Sequence, residues 1–140
     1  MSCGNLGRSP LKNPHRRHIQ SAVPVAYYRG GTSRALIFQP KHLQESISDD
    51  PSKWKSAFPQ FMGSPDPYGH QLDGMGAGIS SLSKICLVEQ SAREGADVDY
   101  TFVGMGIEKD EMDMAGDSRN MSAAIGPYAY NARLLRGQDI

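Results

Sequence analysis

Through most of the chain the apolar residues come in short β-branched and aromatic runs; near its end they form a helical stripe. Ala22 to Tyr28 favours a strand, and Ala35-Leu36-Ile37-Phe38 is a second apolar run. Between them stands Arg29-Gly30-Gly31-Thr32-Ser33. A glycine pair between two apolar runs predicts a tight hairpin. Pro40 to Ser46 predicts a short helix. Asp50-Pro51 predicts a better-defined one, with aspartate at the N-cap and proline at the first helical position. Trp54, Phe58, Phe61 and Met62 follow at near-helical spacing, with Trp54 as a core anchor. Pro59 should limit this helix to about two turns.

Further on, Lys84 to Glu89 predicts a buried strand, Ser91 to Gly95 a polar turn and Asp97 to Ile107 a returning strand. On that strand Val98, Tyr100 and Phe102 share one face. Glu108 to Asp117 reads as a solvated acidic loop, without the glycine and spacing of a calcium loop. Asn120 to Leu135 gives the clearest helix, with Met121, Ala124, Ile125, Tyr128, Ala132 and Leu135 in one stripe. Arg133 and Arg136 suit its C-terminal end, and Gly137 follows as a stop.

One stretch interrupts this pattern. Gly63, Gly69, Gly74, Gly76 and Gly78 are too many glycines for a packed helix, and they lead into Ser80, Ser81, Ser83 and Lys84. A lysine beside hydroxyls and backbone N–H groups suits a carboxylate or phosphate, and such a lysine can serve as a base; a plain surface loop feeding a strand is the alternative. The hairpin turn, with N–H groups, Thr32, Ser33 and flanking arginines Arg29 and Arg34, also suits a carboxylate or is simply a hairpin. The predicted helix start at Ser118 to Asn120 is a third place where an anion binds well. An active site requires two or more of these to converge.

The chain has 140 residues, suiting one domain, and its mean hydropathy of −0.49 allows a core but not a generous one. Its formal net charge of zero gives no case for nucleic acid or an anionic membrane, and no run approaches a membrane span. Cys3 and Cys86 do not make a disulfide framework, so a reducing compartment, the cytoplasm, is expected. No acidic residue precedes Glu45, and such a basic start is shared by mitochondrial presequences; Pro10 and Pro14 interrupt the amphipathic helix an import signal needs. Residues 1–21 read as a disordered basic tail, including the cluster His15-Arg16-Arg17-His18, and residues 22–140 as the folded domain.

The motifs then take on a family likeness. Arg29-Gly30-Gly31-Thr32-Ser33, Gly63-Ser64-Pro65-Asp66, Asp73-Gly74-Met75-Gly76-Ala77-Gly78 with Ser80-Ser81-Leu82-Ser83-Lys84, Asp97-Val98-Asp99-Tyr100 and Asn120-Met121-Ser122-Ala123-Ala124-Ile125-Gly126-Pro127 resemble the PrpF family. The resemblance implies an α/β (α+β) fold: one half of a diaminopimelate-epimerase-like architecture, a bent mixed sheet around a central helix, incomplete here. It implies a cofactor-independent isomerase, with no metal, that moves a C=C bond in an unsaturated polycarboxylate such as aconitate or methylitaconate by a 1,3-proton shift. It gives Lys84 the acid/base role and puts Ser118 at the second catalytic position. Arg29, Gly31, Thr32, Ser33, Ser80, Ser81, Ser83, Asn120 and Met121 become candidate substrate-binding residues.

Two departures from the family pattern stand out. Members usually carry Gly-Asn-Cys-Gly-Asn before the helix, whereas this chain reads Gly116-Asp117-Ser118-Arg119-Asn120. A hydroxyl is far less acidic than a thiol. The family is also roughly twice this length or more, so a second copy or another chain would have to complete the cleft. The alternative function is a polycarboxylate-binding or accessory module without turnover, or a truncated inactive homologue.

Overall fold

The computed structural model describes residues 21–137; the sequence readings for residues 1–20 lie outside this range. The chain forms a five-stranded mixed sheet in the order β1 (Ala26–Gly30), β2 (Ser33–Phe38), β3 (Lys84–Gln90), β4 (Val98–Met105) and β5 (Met112–Asp113). Only the β2–β3 pairing is parallel. Its crossover contains α1 (Pro40–Ser46), α2 (Pro51–Met62), the glycine-rich loop and a short 3-10 turn at Ser80–Leu82. After β5 comes α3 (Arg119–Asn131).

Strand alternation divides the core in two. Ala35 and Ile37 of β2, with Cys86 and Val88 of β3, pack against Met121, Ala124, Ile125, Tyr128 and Ala129 of α3. The intervening residues Leu36, Phe38 and Ile85 face the other way, where they meet Leu43 of α1 and Trp54, Phe58 and Met62 of α2. The Trp54 indole N–H donates to Ser48 O at 2.8 Å, so this core anchor has its polar atom satisfied. Because Lys84 has the same parity as Cys86 and Val88, it projects toward the α3 side.

Several element boundaries differ from the sequence reading. The hairpin strands pair up to Gly30 and Ser33, leaving only Gly31-Thr32 as the loop. Gly31 has φ +55° and makes that two-residue turn possible. Pro59 does not end α2, which continues to Met62 and stops at Gly63 with φ +73°. Within the acidic segment, Met112 and Asp113 pair with Met105 and Gly104 as β5.

Helix α3 ends at Asn131 and not at Leu135. Arg133 takes φ +57°, its N–H reaches Tyr130 O at 3.1 Å, and the Leu134 N–H reaches Ala129 O at 2.9 Å. This is a Schellman stop with arginine in the left-handed position. Buried Leu134 anchors it from the core. Arg136 is drawn to the β3–β4 connection, donating to Ser91 O at 2.7 Å and Arg93 O at 3.0 Å.

Candidate active site

The long crossover loop is held from inside by Gln71. Its backbone is left-handed, with φ +53°, and it is 1% exposed. Its Nε2 donates to Ser64 Oγ at 2.8 Å, and Oε1 accepts the Gly78 N–H at 3.0 Å. Ser83 Oγ lies 2.5 Å from the same Oε1 and 3.0 Å from Ile79 O. Ser64 Oγ in turn donates to Gly106 O at 2.7 Å, which ties the loop to the end of β4. Asp66 gathers the N–H groups of Tyr68, His70 and Gln71. The Tyr68 and Gln71 N–H groups hold its carboxyl below the usual carboxylate range. This scaffold delivers Ser80, Ser81 and Lys84 to the N-terminal end of the central strand β3.

The hairpin turn sits directly on the start of α3. A Cβ on Gly30 would stand 2.0 Å from Asn120 O, and one on Gly31 would stand 2.8 Å from Asn120 Oδ1. Only glycine allows this approach. Asn120 Nδ2 donates to Thr32 Oγ1 at 3.1 Å and reaches Ser33 Oγ at 3.4 Å.

Ser118 occupies the N-cap position of α3, yet its side chain makes no capping bond. Its hydroxyl accepts a hydrogen bond from Lys84 Nζ at 3.3 Å. The first-turn N–H groups of α3 are therefore left uncapped by Ser118, a setting that favours a bound anion. Lys84 Nζ also lies 5.2 Å from the centroid of the Phe102 ring, within cation–π range. Beneath it, burial pushes the Cys86 thiol up to about 12, against the opposing influence of the Lys84 charge. Asp117 is turned aside, its Oδ1 accepting from the Tyr100 hydroxyl at 2.8 Å.

Thr32, Ser33, Ser80, Ser81, Lys84 and Asn120 all line one cavity of about 470 Å³. Members of all three candidate anion sites thus meet in one place. Phe102, Gly104, Met105, Gly106, Glu111 and Asp113 complete the lining. Nothing in the sequence pattern singles out the carboxylates Glu111 and Asp113 from the rest of the acidic segment.

Four other candidates lie differently. Ser83 is fully buried beneath the loop and bonded to Gln71. Met121 is fully buried in the core under α3. Gly31 is the spacer between hairpin and helix. Arg29 alternates with Tyr28 and so faces away from α3; its Nε donates to Gly31 O at 3.1 Å. Among the described residues, no group of three His, Cys, Asp or Glu side chains is arranged to hold a metal ion, and no helix is long and apolar enough to cross a membrane.

Comparison with known proteins extends this geometry. The family model described as PrpF protein matches residues 20–139. A 2-methyl-aconitate isomerase of Cupriavidus necator is 40% identical over 121 residues, covering 86% of this chain and 31% of the relative. A (4E)-oxalomesaconate Delta-isomerase of Novosphingobium sp. (strain KA1) is 33% identical over 122 residues, covering 87% of this chain and 32% of the relative. Among solved structures, that of a methylitaconate-delta-isomerase superposes with a TM-score of 0.72 at 27% identity, covering 84% of this chain and 29% of that one. The chain therefore spans about a third of the length of the curated relatives it matches.

Proposed function

This chain belongs to the PrpF family, and on that premise we propose that it is an isomerase of small unsaturated polycarboxylates, aconitate or methylitaconate in type, with Lys84 as acid/base. The observation that carries the reading is the 3.3 Å contact between Lys84 Nζ and Ser118 Oγ, beside a cavity lined by the hydroxyls of Thr32, Ser33, Ser80 and Ser81. Relatives named for 2-methyl-aconitate and 3-methylitaconate support the substrate class.

The chemistry suits these residues. A proton on carbon next to an alkene conjugated with a carboxylate is weakly acidic. Removing it leaves dienolate-like charge that needs a cation and N–H or O–H donors nearby. Lys84 supplies the cation and exchanges the proton. Ser118 orients the lysine. Hydroxyls of the hairpin and the 3-10 turn, with Asn120 and the first-turn N–H groups of α3, hold substrate carboxylates. Ser83, Gly31 and Met121 position these groups from below, and Arg29 draws anions to the hairpin from outside.

A second reading, a polycarboxylate-binding or accessory module, is favoured by one observation: Ser118 stands where the family motif has cysteine. Calorimetric titration of the purified chain with cis-aconitate tests the site common to both readings. Saturable binding weakened at least tenfold by Lys84→Ala is expected, and no binding would remove both. Turnover separates them.

A further inference from the structure

Lys84 on β3 pairs with Gly104 on β4, and Gly104 pairs with Asp113 on β5. Directly opposed residues of antiparallel strands project from the same face of a sheet. Neighbouring strands lie about 4.8 Å apart, so Lys84 and Asp113 are the ends of one row, roughly 10 Å apart at Cα. The position between them has no side chain. All three residues line the 470 Å³ cavity. Phe102 forms the floor of the row: its ring lies near Lys84 Nζ, and its Cε1 lies 3.6 Å from where a Cβ on Gly104 would stand. The Asp113 carboxylate is fixed, because Oδ1 accepts the N–H groups of Ala115 at 3.0 Å and Gly116 at 3.2 Å. Among the described residues no hydrogen bond reaches Oδ2.

We propose that Asp113 is the second proton-transfer group of this site, acting across Gly104 from Lys84; the proposal rests on the isomerase reading above. The row leaves room for an allylic segment between a carboxylate and an ammonium group. Asp113 Oδ2 takes the proton from the allylic carbon. The electron pair of that C–H bond forms the new C=C bond, and the old π pair moves into the conjugated carboxylate as a dienolate. The Lys84 ammonium then donates a proton to the far carbon of the allyl unit, whose new C–H bond uses the returning pair. The substrate loses one proton and gains one. Asp113 is left protonated and Lys84 neutral, and transfer of that proton through water restores both.

The division of labour matches the surroundings. The Lys84 Nζ lies over the Phe102 ring face and donates to the Ser118 oxygen, so its N–H groups are held on the far side of Gly104 from Asp113. Like charges in contact repel, so a substrate carboxylate avoids Asp113 and the proton-bearing carbon is turned toward it. A carboxylate base facing a lysine acid also supplies the second proton-transfer partner that a Ser118 hydroxyl provides poorly.

The test uses the full chain with cis-aconitate in D₂O, followed by proton NMR, with binding measured on the same samples. The parent chain is expected to exchange the allylic CH₂ protons and to form the isomer. Asp113→Asn should slow both by a factor on the order of 10² or more while binding aconitate within threefold of the parent. Asp113→Glu should keep a measurable rate and shift the acidic limb of the pH–rate profile, which a merely structural role would not do. Asp113→Asn turnover within threefold of the parent would overturn the proposal and leave the Lys84 site standing. Loss of aconitate binding in both variants would overturn it as well, by making Asp113 a binding or folding residue. A parent chain that binds aconitate without exchange, or does not bind it, would overturn the isomerase reading itself and the proposal with it.

Discussion

Lys84 Nζ and Ser118 Oγ stand 3.3 Å apart although 34 positions separate them in the chain. The contact joins the first residue of β3 to the N-cap of α3. It requires the sheet, the crossover loop and the helix to be assembled together, so it reports on both fold and chemistry.

Restoring a thiol at this position should strengthen the site. Ser118→Cys places a sulfur next to a cation and at a helix N-terminus, both of which lower a thiol pKa. In a chain whose Cys3 is replaced by alanine, the introduced thiol should react with iodoacetamide at pH 7 at least tenfold faster than a simple thiol, and isomerisation should rise. Lys84→Ala in the same background should remove much of that reactivity. An unreactive thiol in the Ser118→Cys variant would mean that the Lys84 contact does not persist in solution.

Buried Cys86 gives a pH dependence of definite sign. Burial raises its thiol from 9.0 to about 12 in the folded chain. The unfolded thiol therefore ionises first as pH rises, and the folded state holds the extra proton between about pH 9 and 12. Its stabilising contribution is complete below pH 9 and falls above it, at up to about 1.4 kcal/mol per pH unit. Urea unfolding at pH 8 and pH 10, for the parent and Cys86→Val, should show a steeper loss in the parent. Equal slopes would count against the burial.

Gly30 should not accept a side chain. A Cβ there meets the Asn120 carbonyl oxygen at 2.0 Å, and both partners are backbone. Gly30→Ala should cost roughly 3 kcal/mol by overpacking and should weaken aconitate binding by moving the hairpin off the helix. An unchanged urea midpoint would show that the contact is loose.

Gln71 is expected to behave as a core residue despite its polarity. Gln71→Ala strands the Gly78 N–H, takes one of two partners from Ser64 and from Ser83, and empties the space its buried side chain fills; an unsatisfied buried group alone costs about 1–3 kcal/mol. A loss of roughly 3 kcal/mol in urea unfolding is expected, with the loop from 64 to 83 losing hydrogen-exchange protection first. A loss below about 0.5 kcal/mol would contradict its role as the loop's internal support.

What can be read from the sequence follows from what each feature depends on. Strands β2 and β3 and the apolar face of α3 rest on local periodicity, and those signals are strong. The convergence of Thr32, Lys84 and Asn120 depends on the parallel β2–β3 crossover, which no local pattern encodes. Asp113 is hidden in the sequence because β5 has only two residues, set in an acidic segment. Its place opposite Lys84 exists only once the register through Gly104 is known. Gln71 looks like one more polar loop residue, and only its burial shows otherwise. The facing of Arg29 is available from the parity of Ala26 and Tyr28, but its residue type draws attention to anion binding instead. The endpoint of α3 differs from the periodic reading because Arg133 adopts a left-handed conformation usually reserved for glycine or asparagine.

The most direct measurement is the change in ultraviolet absorbance of cis- and trans-aconitate on incubation with the purified chain and with its Lys84→Ala variant, circular dichroism confirming that both are folded. Isomerisation by the parent chain is expected, with a loss on the order of 10² or more in the variant. A folded parent with no turnover, or a variant as active as the parent, would contradict it.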